Sequence, residues 1–231
     1  MSKTRLSSAV EDYLKAIYEL GERGVKTQAL ADALEVSPAS VTGMLQKLAS
    51  LKLVAYQKYQ GVSLTPAGQR IALETLRHHR LIETYLAQAL GYAWHEVHDE
   101  AEKLEHHISE DFEDRIASML GHPTHDPHGD PIPRRDGSLP ADLGWPLTDL
   151  EVGQTATITR ITKQERELLH YLAENGLVPG KAVTLRARAP FNGPLTLERE
   201  DEERGKGEIV ISHELAGVIH ATTVDSRVVS L

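Results

Sequence analysis

The spacing of apolar residues predicts that the chain begins with a helix. In residues 7–20, SSAVEDYLKAIYEL, the side chains of Val10, Leu14, Ile17 and Tyr18 recur at helical intervals and would share one face. A serine precedes this stripe as a candidate N-cap, and glycines follow it as a stop signal.

Two shorter helices and a hairpin are predicted next. Ser37-Pro38 would end the first of these helices and begin the second, because proline is favoured at the first helical position. Residues 54–72, VAYQKYQGVSLTPAGQRIA, indicate two short strands around a polar turn, followed by a helix that starts near Thr65-Pro66. Two helices and a hairpin in this order predict a winged helix-turn-helix.

The remainder of the chain changes from helical to strand periodicity. Residues 66–90 and 94–120 each carry one helical pattern that ends at a glycine, and a Pro/Gly-rich loop occupies residues 122–140. Beyond it, TATITRI, AVTLRARA, PLTLE, GEIVIS and IHATTV alternate like strands, with one helix at 163–174 between them. Short strands separated by glycine turns predict a small β-barrel, so the expected fold is mainly α with a C-terminal β-barrel.

Composition narrows the class of protein. The chain has 231 residues, of which 40% are hydrophobic and 26% charged, a balance typical of a soluble globular protein. No apolar run could span a bilayer, and the N-terminus lacks the apolar segment of a secretory signal. The absence of cysteine excludes disulfide bonds and thiolate metal sites. We therefore expect a cytoplasmic protein.

Charge is distributed unevenly along the chain. The net charge is −9, but residues 1–72 carry nine Lys/Arg against six Asp/Glu, which leaves 16 basic and 28 acidic residues in the remainder. A mildly basic first part on an acidic body is compatible with a DNA-facing N-terminal domain. Nine of the 12 histidines lie between His78 and His128, so any site that uses them is expected within this segment.

The second helix of a helix-turn-helix enters the major groove, and its early residues reach the base edges. The hairpin, or wing, would supply phosphate or minor-groove contacts. The alternative is a helix pair that serves only the core. The candidate DNA-binding residues are Thr27, Ser37, Pro38, Ala39, Ser40, Thr42, Gln46 and Lys47, with Lys58 and Tyr59 on the wing.

A carboxylate–histidine cluster stands out in HDEAEKLEHH, residues 98–107. A turn of 100° per residue places His98, Glu102, Glu105 and His106 on one helical face. On the preceding helical pattern, His79 and Glu83 share a face at i and i+4. If the two helices pack antiparallel, these faces meet. Oxygen and nitrogen ligands without sulfur suit Mn²⁺, Fe²⁺, Co²⁺ or Zn²⁺.

Other interpretations of these residues stay open at this stage. The helix face could be solvated and salt-bridged, with incidental histidines. The loop HPTHDPHGDP, which contains Asp126 and His128, could be a rigid connector or a second metal site. A di-iron bundle is disfavoured, because Glu102 is followed at i+3 by Glu105 rather than by histidine.

The motifs together resemble a known family. EDYLKAIYEL, SPASVT, LTPAGQRIA, HHRLIE, HDEAEKLEHH and PHGDPIP occur in the order found in the diphtheria toxin repressor and manganese transport regulator family of metal-dependent transcription factors. The resemblance covers the whole chain. It implies a winged helix-turn-helix DNA-binding domain at 1–72, a helical dimerisation and metal-binding domain at 73–140, and an SH3-like, FeoA-type domain at 141–231.

The resemblance also implies ligand sets. Carboxylates stand at positions 12 and 102, as in the manganese-sensing branch, where the iron-sensing branch has Met and Cys. Lys15 departs from the short manganese regulators, which have a second Glu there. The implied primary site comprises Asp12, Glu102, Glu105 and His106; the ancillary site comprises His79, Glu83 and His98; Asp126 and His128 would form a further site beside Glu83, and Glu165 would be a ligand from the barrel.

The predicted function follows from this resemblance. We expect a Mn²⁺-responsive regulator of metal homeostasis genes, a repressor of manganese uptake, that binds double-stranded operator DNA as a metal-loaded homodimer. Fe²⁺, Co²⁺, Zn²⁺ or Cd²⁺ could substitute for Mn²⁺, and neither a membrane nor a small-molecule substrate is expected. The alternatives are an Fe²⁺-responsive regulator, a carboxylate/His metalloenzyme, and a DNA-binding module that needs no metal.

Overall fold

The computed structural model describes residues 6–21, 23–57, 60–141, 144–201 and 205–223. Among them, no helix combines the length and apolar character that a membrane crossing requires. The helices are α1 (Ser8–Glu19), α2 (Thr27–Ala33), α3 (Pro38–Ser50), α4 (Pro66–Leu90), α5 (Val97–Leu104), α6 (Glu110–Met119), α7 (Arg166–Glu174) and α8 (His213–Val218). The strands are β1 (Val54–Gln57), β2 (Gly61–Leu64), β3 (Trp145–Pro146), β4 (Thr155–Ile161), β5 (Ala182–Arg188), β6 (Leu195–Asp201), β7 (Gly205–Ile211) and β8 (Ile219–Thr223).

The N-terminal part is the predicted winged helix-turn-helix. Pro38 is the first residue of α3, and the Ser37 hydroxyl caps the helix by accepting a hydrogen bond from Ser40 N at 3.1 Å. Strands β1 and β2 pair antiparallel to form the wing. The predicted contacts of Lys58 and Tyr59 lie outside the described residues. One core holds these elements together, with the side chains of Leu14, Ile17, Leu30, Val41, Leu45 and Leu48 buried in it.

Helix α4 leads from the wing into the middle of the molecule. It begins at the Thr65 cap and ends at Gly91, whose φ of 71° closes the helix in the left-handed conformation. The predicted boundary between residues 72 and 73 lies inside this helix. Helix α4 packs against both α1 and α5. This one helix therefore positions residues of the winged helix-turn-helix and of the helical region that follows it.

The prediction of one helix over residues 94–120 is wrong. Helix α5 ends at Leu104 and α6 begins at Glu110. Ser109 starts the new helix by accepting a hydrogen bond from Phe112 N at 3.2 Å, and three acidic residues in its first turn favour that helix start. The break leaves Glu105 and His106 in the turn beyond α5.

The C-terminal part is rich in antiparallel strands. Its six-stranded sheet has the order β3-β8-β4-β5-β6-β7. Among the described residues the two outer strands, β3 and β7, do not pair with each other, so closure into a barrel stays a prediction. The short strand β3 and helix α8 were not predicted. Aliphatic side chains of the sheet, including Ile158 and Ile161, share one core with Leu169 and Leu172 of α7.

The Pro/Gly-rich loop joins the helical part to this sheet. Ile161 N of β4 donates a hydrogen bond to His128 O at 2.9 Å. Gly129 adopts a φ of +90°, and a Cβ at that position would lie 2.0 Å from Thr159 O. Only glycine allows so close an approach of the two backbones. The loop is therefore anchored to β4 rather than free.

Candidate metal centre

Four groups of ligand-type side chains meet where α1, α4, α5 and the loop converge. Within each group one nitrogen or oxygen atom per residue lies within 4.8 Å of the others. Because these residues come from four segments, only the folded chain can assemble them. The groups are Asp12/Glu105/His106, His79/Glu102/Glu105, His79/Glu83/His98 and Glu83/Asp126/His128.

The first group joins α1 to the turn after α5. His106 Nε2 lies 2.7 Å from Asp12 Oδ1 and 3.3 Å from Glu105 Oε1. On its other side, His106 Nδ1 donates to Glu11 Oε2 at 2.6 Å. This hydrogen bond orients the ring and, in the neutral imidazole, leaves the Nε2 lone pair directed at the two carboxylates, as a metal ligand requires. Burial raises the pKa of Asp12, although His106 and Lys15 oppose that shift.

Glu11 was not identified from the sequence as part of the site. Its only sequence signal is its position beside Asp12 on α1. Glu11 and its partner His106 border a cleft of about 580 Å³, whose walls also include Thr75, His78 and Glu105. This cleft gives an ion a route from solvent to the first group.

Glu102 does not join Asp12 in one group. Its Oε1 accepts a hydrogen bond from Lys15 Nζ at 2.6 Å, and Lys15 Nζ also donates to Glu105 Oε1 at 2.8 Å. The structure instead places Glu102 beside His79, with its Oε1 3.6 Å from His79 Nδ1. The four residues of the implied primary site are thus divided between two groups that share Glu105.

His79, Glu83 and His98 are brought together as expected. Glu83 Oε1 lies 3.0 Å from His79 Nε2 and 3.2 Å from His98 Nδ1. Burial disfavours the charged form of His79, but the neighbouring Glu83 carboxylate and the hydrogen bond to Glu105 outweigh it and raise the pKa of His79 to about 10. A divalent ion bound here would therefore displace a proton from this ring.

The loop contributes the fourth group. His128 Nε2–H donates to Trp94 O at 3.0 Å, which leaves Nδ1 to face Glu83 Oε1 at 3.7 Å. One Asp126 oxygen accepts hydrogen bonds from the backbone N–H groups of His128 and Asp130, which fixes the carboxylate. Burial, together with Glu83 and Asp130, raises the pKa of Asp126 well above its ordinary value. A bound cation would reverse the repulsion between these carboxylates.

Buried polar atoms without a hydrogen bond indicate whether the groups fit a cation. A buried polar atom without a hydrogen bond is costly, by about 1–3 kcal/mol, and native proteins contain few. Here several such atoms belong to the ligand groups, and all are oxygen or imidazole nitrogen, the donors that Mn²⁺ and similar ions accept. Within the described chain, the ligand-group atoms that are buried without a hydrogen bond are Glu83 Oε2, Asp126 Oδ2 and His128 Nδ1, whereas Asp12 Oδ1 is paired with His106 Nε2 at 2.7 Å.

Glu165 occupies a different environment from these ligands. It is the exposed N-cap of α7 and belongs to none of the groups found among the described residues, so its role as a ligand stays a prediction. Its neighbour Gln164 reaches the loop instead, donating from Nε2 to Asp130 Oδ2 at 2.6 Å. Sequence reasoning missed Gln164, since a lone glutamine carries no ligand signal.

The candidate DNA-binding residues of α3 form an outward surface. Val41, Leu45 and Leu48 turn the opposite face of the helix into the core. The Thr42 hydroxyl donates to Pro38 O at 2.9 Å, which holds the side chain against the helix. Thr27 and Thr42 are half-buried, whereas the remaining described candidates, Ser37, Pro38, Ala39, Ser40, Gln46 and Lys47, are exposed.

A winged helix beside buried carboxylate–histidine groups defines a metal-dependent DNA-binding regulator. Family models match nearly the whole chain: "Iron dependent repressor, N-terminal DNA binding domain" over residues 5–62, "Iron dependent repressor, metal binding and dimerisation domain" over 65–134, and "FeoA domain" over 145–222. The chain belongs to the diphtheria toxin repressor and manganese transport regulator family of metal-dependent transcriptional repressors. Its members are DNA-binding regulators, so the metalloenzyme alternative is wrong.

Individual relatives represent both branches of the family. The iron-dependent repressor IdeR of Mycobacterium leprae is 30% identical over 95% of this chain and 98% of its own. The regulator MntR of Bacillus pumilus is 38% identical over 48% of this chain and 78% of its own. A solved structure, a manganese-dependent transcriptional repressor in complex with manganese, is 36% identical with a TM-score of 0.84, and covers 93% of this chain and 100% of its own.

Proposed function

We propose that the protein is a Mn²⁺-responsive repressor of manganese-uptake genes, which acts in the cytoplasm as a metal-loaded homodimer on double-stranded operator DNA. The observation that carries the proposal is the meeting of Asp12 with Glu105 and His106. This group contains only oxygen and nitrogen donors. Such donors favour Mn²⁺ over softer ions.

The position of Asp12 supplies the regulatory coupling. Asp12 belongs to the DNA-binding part, whereas Glu105 and His106 belong to the dimerisation part. A bound ion would supply the charge that holds these parts together. The two α3 helices of a dimer would then be fixed about 34 Å apart, one turn of DNA. A coupling of about 1–3 kcal/mol between metal and DNA binding is the usual range.

Glu83 connects two of the other three groups, His79/Glu83/His98 and Glu83/Asp126/His128. Its Oε1 faces His79 and His98, and its Oε2 has no hydrogen bond. We propose that Glu83 serves an ancillary ion with these histidines and a loop ion with Asp126 and His128. The loop ion would lie where the helical part contacts β4 and would stabilise that contact.

The primary assignment is tested by gel shift with and without Mn²⁺. We expect His106→Ala and Asp12→Ala to abolish Mn²⁺-dependent operator binding, because each removes a ligand that joins the two parts. Sedimentation should show that the dimer remains. His107→Ala is the matched control, since His107 is adjacent and exposed and should bind DNA as the unaltered protein does. Undiminished DNA binding by His106→Ala would refute the assignment.

An Fe²⁺-responsive regulator is the second candidate, because the related IdeR proteins are iron-dependent repressors. The carboxylates at positions 12 and 102 favour Mn²⁺. The double variant Asp12→Met/Glu102→Cys should therefore move the activating preference toward Fe²⁺ or Co²⁺. Operator binding measured with Mn²⁺, Fe²⁺, Co²⁺, Zn²⁺ and Cd²⁺ decides this, and an unaltered ranking of the ions would show that these two positions do not set selectivity.

A further inference from the structure

Gly43 lies in the middle of α3, the second helix of the helix-turn-helix, where glycine is unfavourable. Glycine inside a helix is less stable than alanine, because its backbone loses more conformational freedom on folding. Gly43 is the sixth residue of the 13-residue helix Pro38–Ser50, so it caps neither end. The sequence therefore carries a stability cost at this position.

Packing and backbone conformation do not require a glycine at position 43. Gly43 is not among the glycines with a positive φ, so its backbone conformation is open to any residue. Its chain neighbours and the backbone of its own helix aside, a Cβ built on it meets no atom of the described chain within 4 Å. Gly68 of α4 is the contrast, because a Cβ there would lie 2.0 Å from Leu53 O.

Gly43 lies at the centre of the surface that α3 turns away from the core. The buried residues of this helix are Val41, Leu45 and Leu48. At 100° per residue, Gly43 is about 140–160° around the helix from each of them. Whatever contacts the outer surface of α3 therefore meets the backbone of Gly43 where every other residue would present a side chain.

The surroundings of Gly43 suit contact with DNA. Ala39 and Gln46, both exposed candidates for base contact, lie one turn before it and one turn after it. Helix α3 contains no acidic residue that would repel phosphate. A major groove about 12 Å wide receives a helix about 10–12 Å across with little room to spare. At such a fit, one methyl group on the outer surface limits how deeply the helix can enter.

We propose that Gly43 is the point of closest approach between α3 and the base edges of the operator, and that its missing side chain sets how deeply the helix enters the major groove. The backbone at Gly43 lies against the bases, which brings Ala39 and Gln46 within reach of them. Gly43 is thus a specificity-determining residue through the absence of a Cβ. The inference rests on the proposed function, because it assumes that α3 binds operator DNA.

Adding a side chain tests the inference, because stability and DNA binding should change in opposite directions. The probe is a duplex selected from a random-sequence pool by the unaltered protein with Mn²⁺. Gly43→Ala should raise the melting temperature by about 2–4 °C. It should weaken binding to the selected duplex by about tenfold or more, the scale of one mismatched base pair. Binding to unrelated DNA, which depends on phosphate contacts, should change by less than about twofold.

Two further variants separate a steric contact from a change in helix flexibility. Leucine and alanine have similar helix propensities, so Gly43→Leu should weaken binding more than Gly43→Ala only if the size of the side chain matters. Ser50→Thr is the matched control, because it adds one methyl group at the exposed last residue of α3 and keeps the hydroxyl that donates to Lys47 O at 2.7 Å. It should bind the selected duplex as the unaltered protein does.

The outcomes separate the inference from the proposed function. If the unaltered protein with Mn²⁺ selects no DNA from the pool, the proposed function fails and this inference fails with it. If it selects DNA that Gly43→Ala binds equally tightly, only the inference is overturned. Equal weakening by Gly43→Ala and Gly43→Leu also overturns it, as does an equal loss on selected and unrelated DNA, because a clash with base edges arises only in the specific complex.

Discussion

Asp130 and Arg160 form an ion pair that joins the Pro/Gly-rich loop to strand β4, with Arg160 Nη2 2.5 Å from Asp130 Oδ1. The second Asp130 oxygen accepts a hydrogen bond from Gln164 at 2.6 Å. Asp130 N in turn donates to Asp126, a member of the Glu83 ligand group. The C-terminal sheet is thus connected to a candidate metal site through one carboxylate.

Asp130→Asn should loosen this connection. The substitution keeps the shape of the side chain but removes its charge, so the pairing with Arg160 weakens. We expect a loss of about 1–3 kcal/mol in the free energy of unfolding, measured in urea. Hydrogen exchange should accelerate in the loop and β4. Asp111→Asn is the control, because Asp111 and its partner Arg115 are both more than 75% exposed, and their pair should contribute little. Equal effects of the two variants would contradict the prediction.

Gly129→Ala should disturb the same contact through the backbone. The new Cβ would lie 2.0 Å from Thr159 O, and the φ of +90° is unfavourable for alanine. We expect the variant to lose more than about 1 kcal/mol in thermal unfolding. Gly43→Ala is the matched control, since a Cβ there meets nothing within 4 Å and the residue lies inside α3. A Gly129→Ala variant as stable as Gly43→Ala would show that the close approach is unimportant.

Glu113→Gln should reveal a pH-dependent contribution to stability. Burial acts to raise the pKa of Glu113, but hydrogen bonds from His78 and Arg77 outweigh it and hold the pKa below 4.5. A lowered pKa in the folded state means that the charged carboxylate stabilises the protein above the ordinary pKa. This contribution is lost as the pH falls through the lower, folded-state value.

The measurement for Glu113 compares urea unfolding of both proteins, without metal, from about pH 6 to about pH 3. The unaltered protein should be more stable near pH 6, and the difference should shrink below 4.5. A difference that stays constant across this range would contradict the assigned pKa shift.

Lys47→Ala should weaken operator binding by a sequence-independent amount. Lys47 is exposed on the outer face of α3, where it can approach phosphate. Loss of one phosphate contact should reduce the slope of log K against log salt by about 1. Titration of operator and unrelated DNA at several salt concentrations checks this. Lys163→Ala, an exposed lysine of the C-terminal part, should leave the slope unchanged. An equal effect of both variants would place Lys47 outside the DNA interface.

Local patterns were sufficient for most elements of the fold. The apolar stripes of α1 and α3 and the caps at Ser37 and Thr65 are encoded within a few residues, and the structure has them. The change from helical to strand periodicity likewise predicted the C-terminal sheet. The prediction of one long helix over residues 94–120 is wrong because helical spacing continues across Ser109. The capping side chain of Ser109 is the local signal that a new helix begins there.

The amino-acid sequence establishes which ligand-type side chains this protein carries, and packing establishes which of them meet. Residue types and spacing identified carboxylates and histidines on two helices, but periodicity gives a face, not the angle at which faces meet. Lys15 and Glu105 are separated by 90 residues, and only packing brings them within 2.8 Å. The same packing divides the implied primary site between two ligand groups and places Glu11 against His106. It also brings Gln164, rather than Glu165, into contact with the loop.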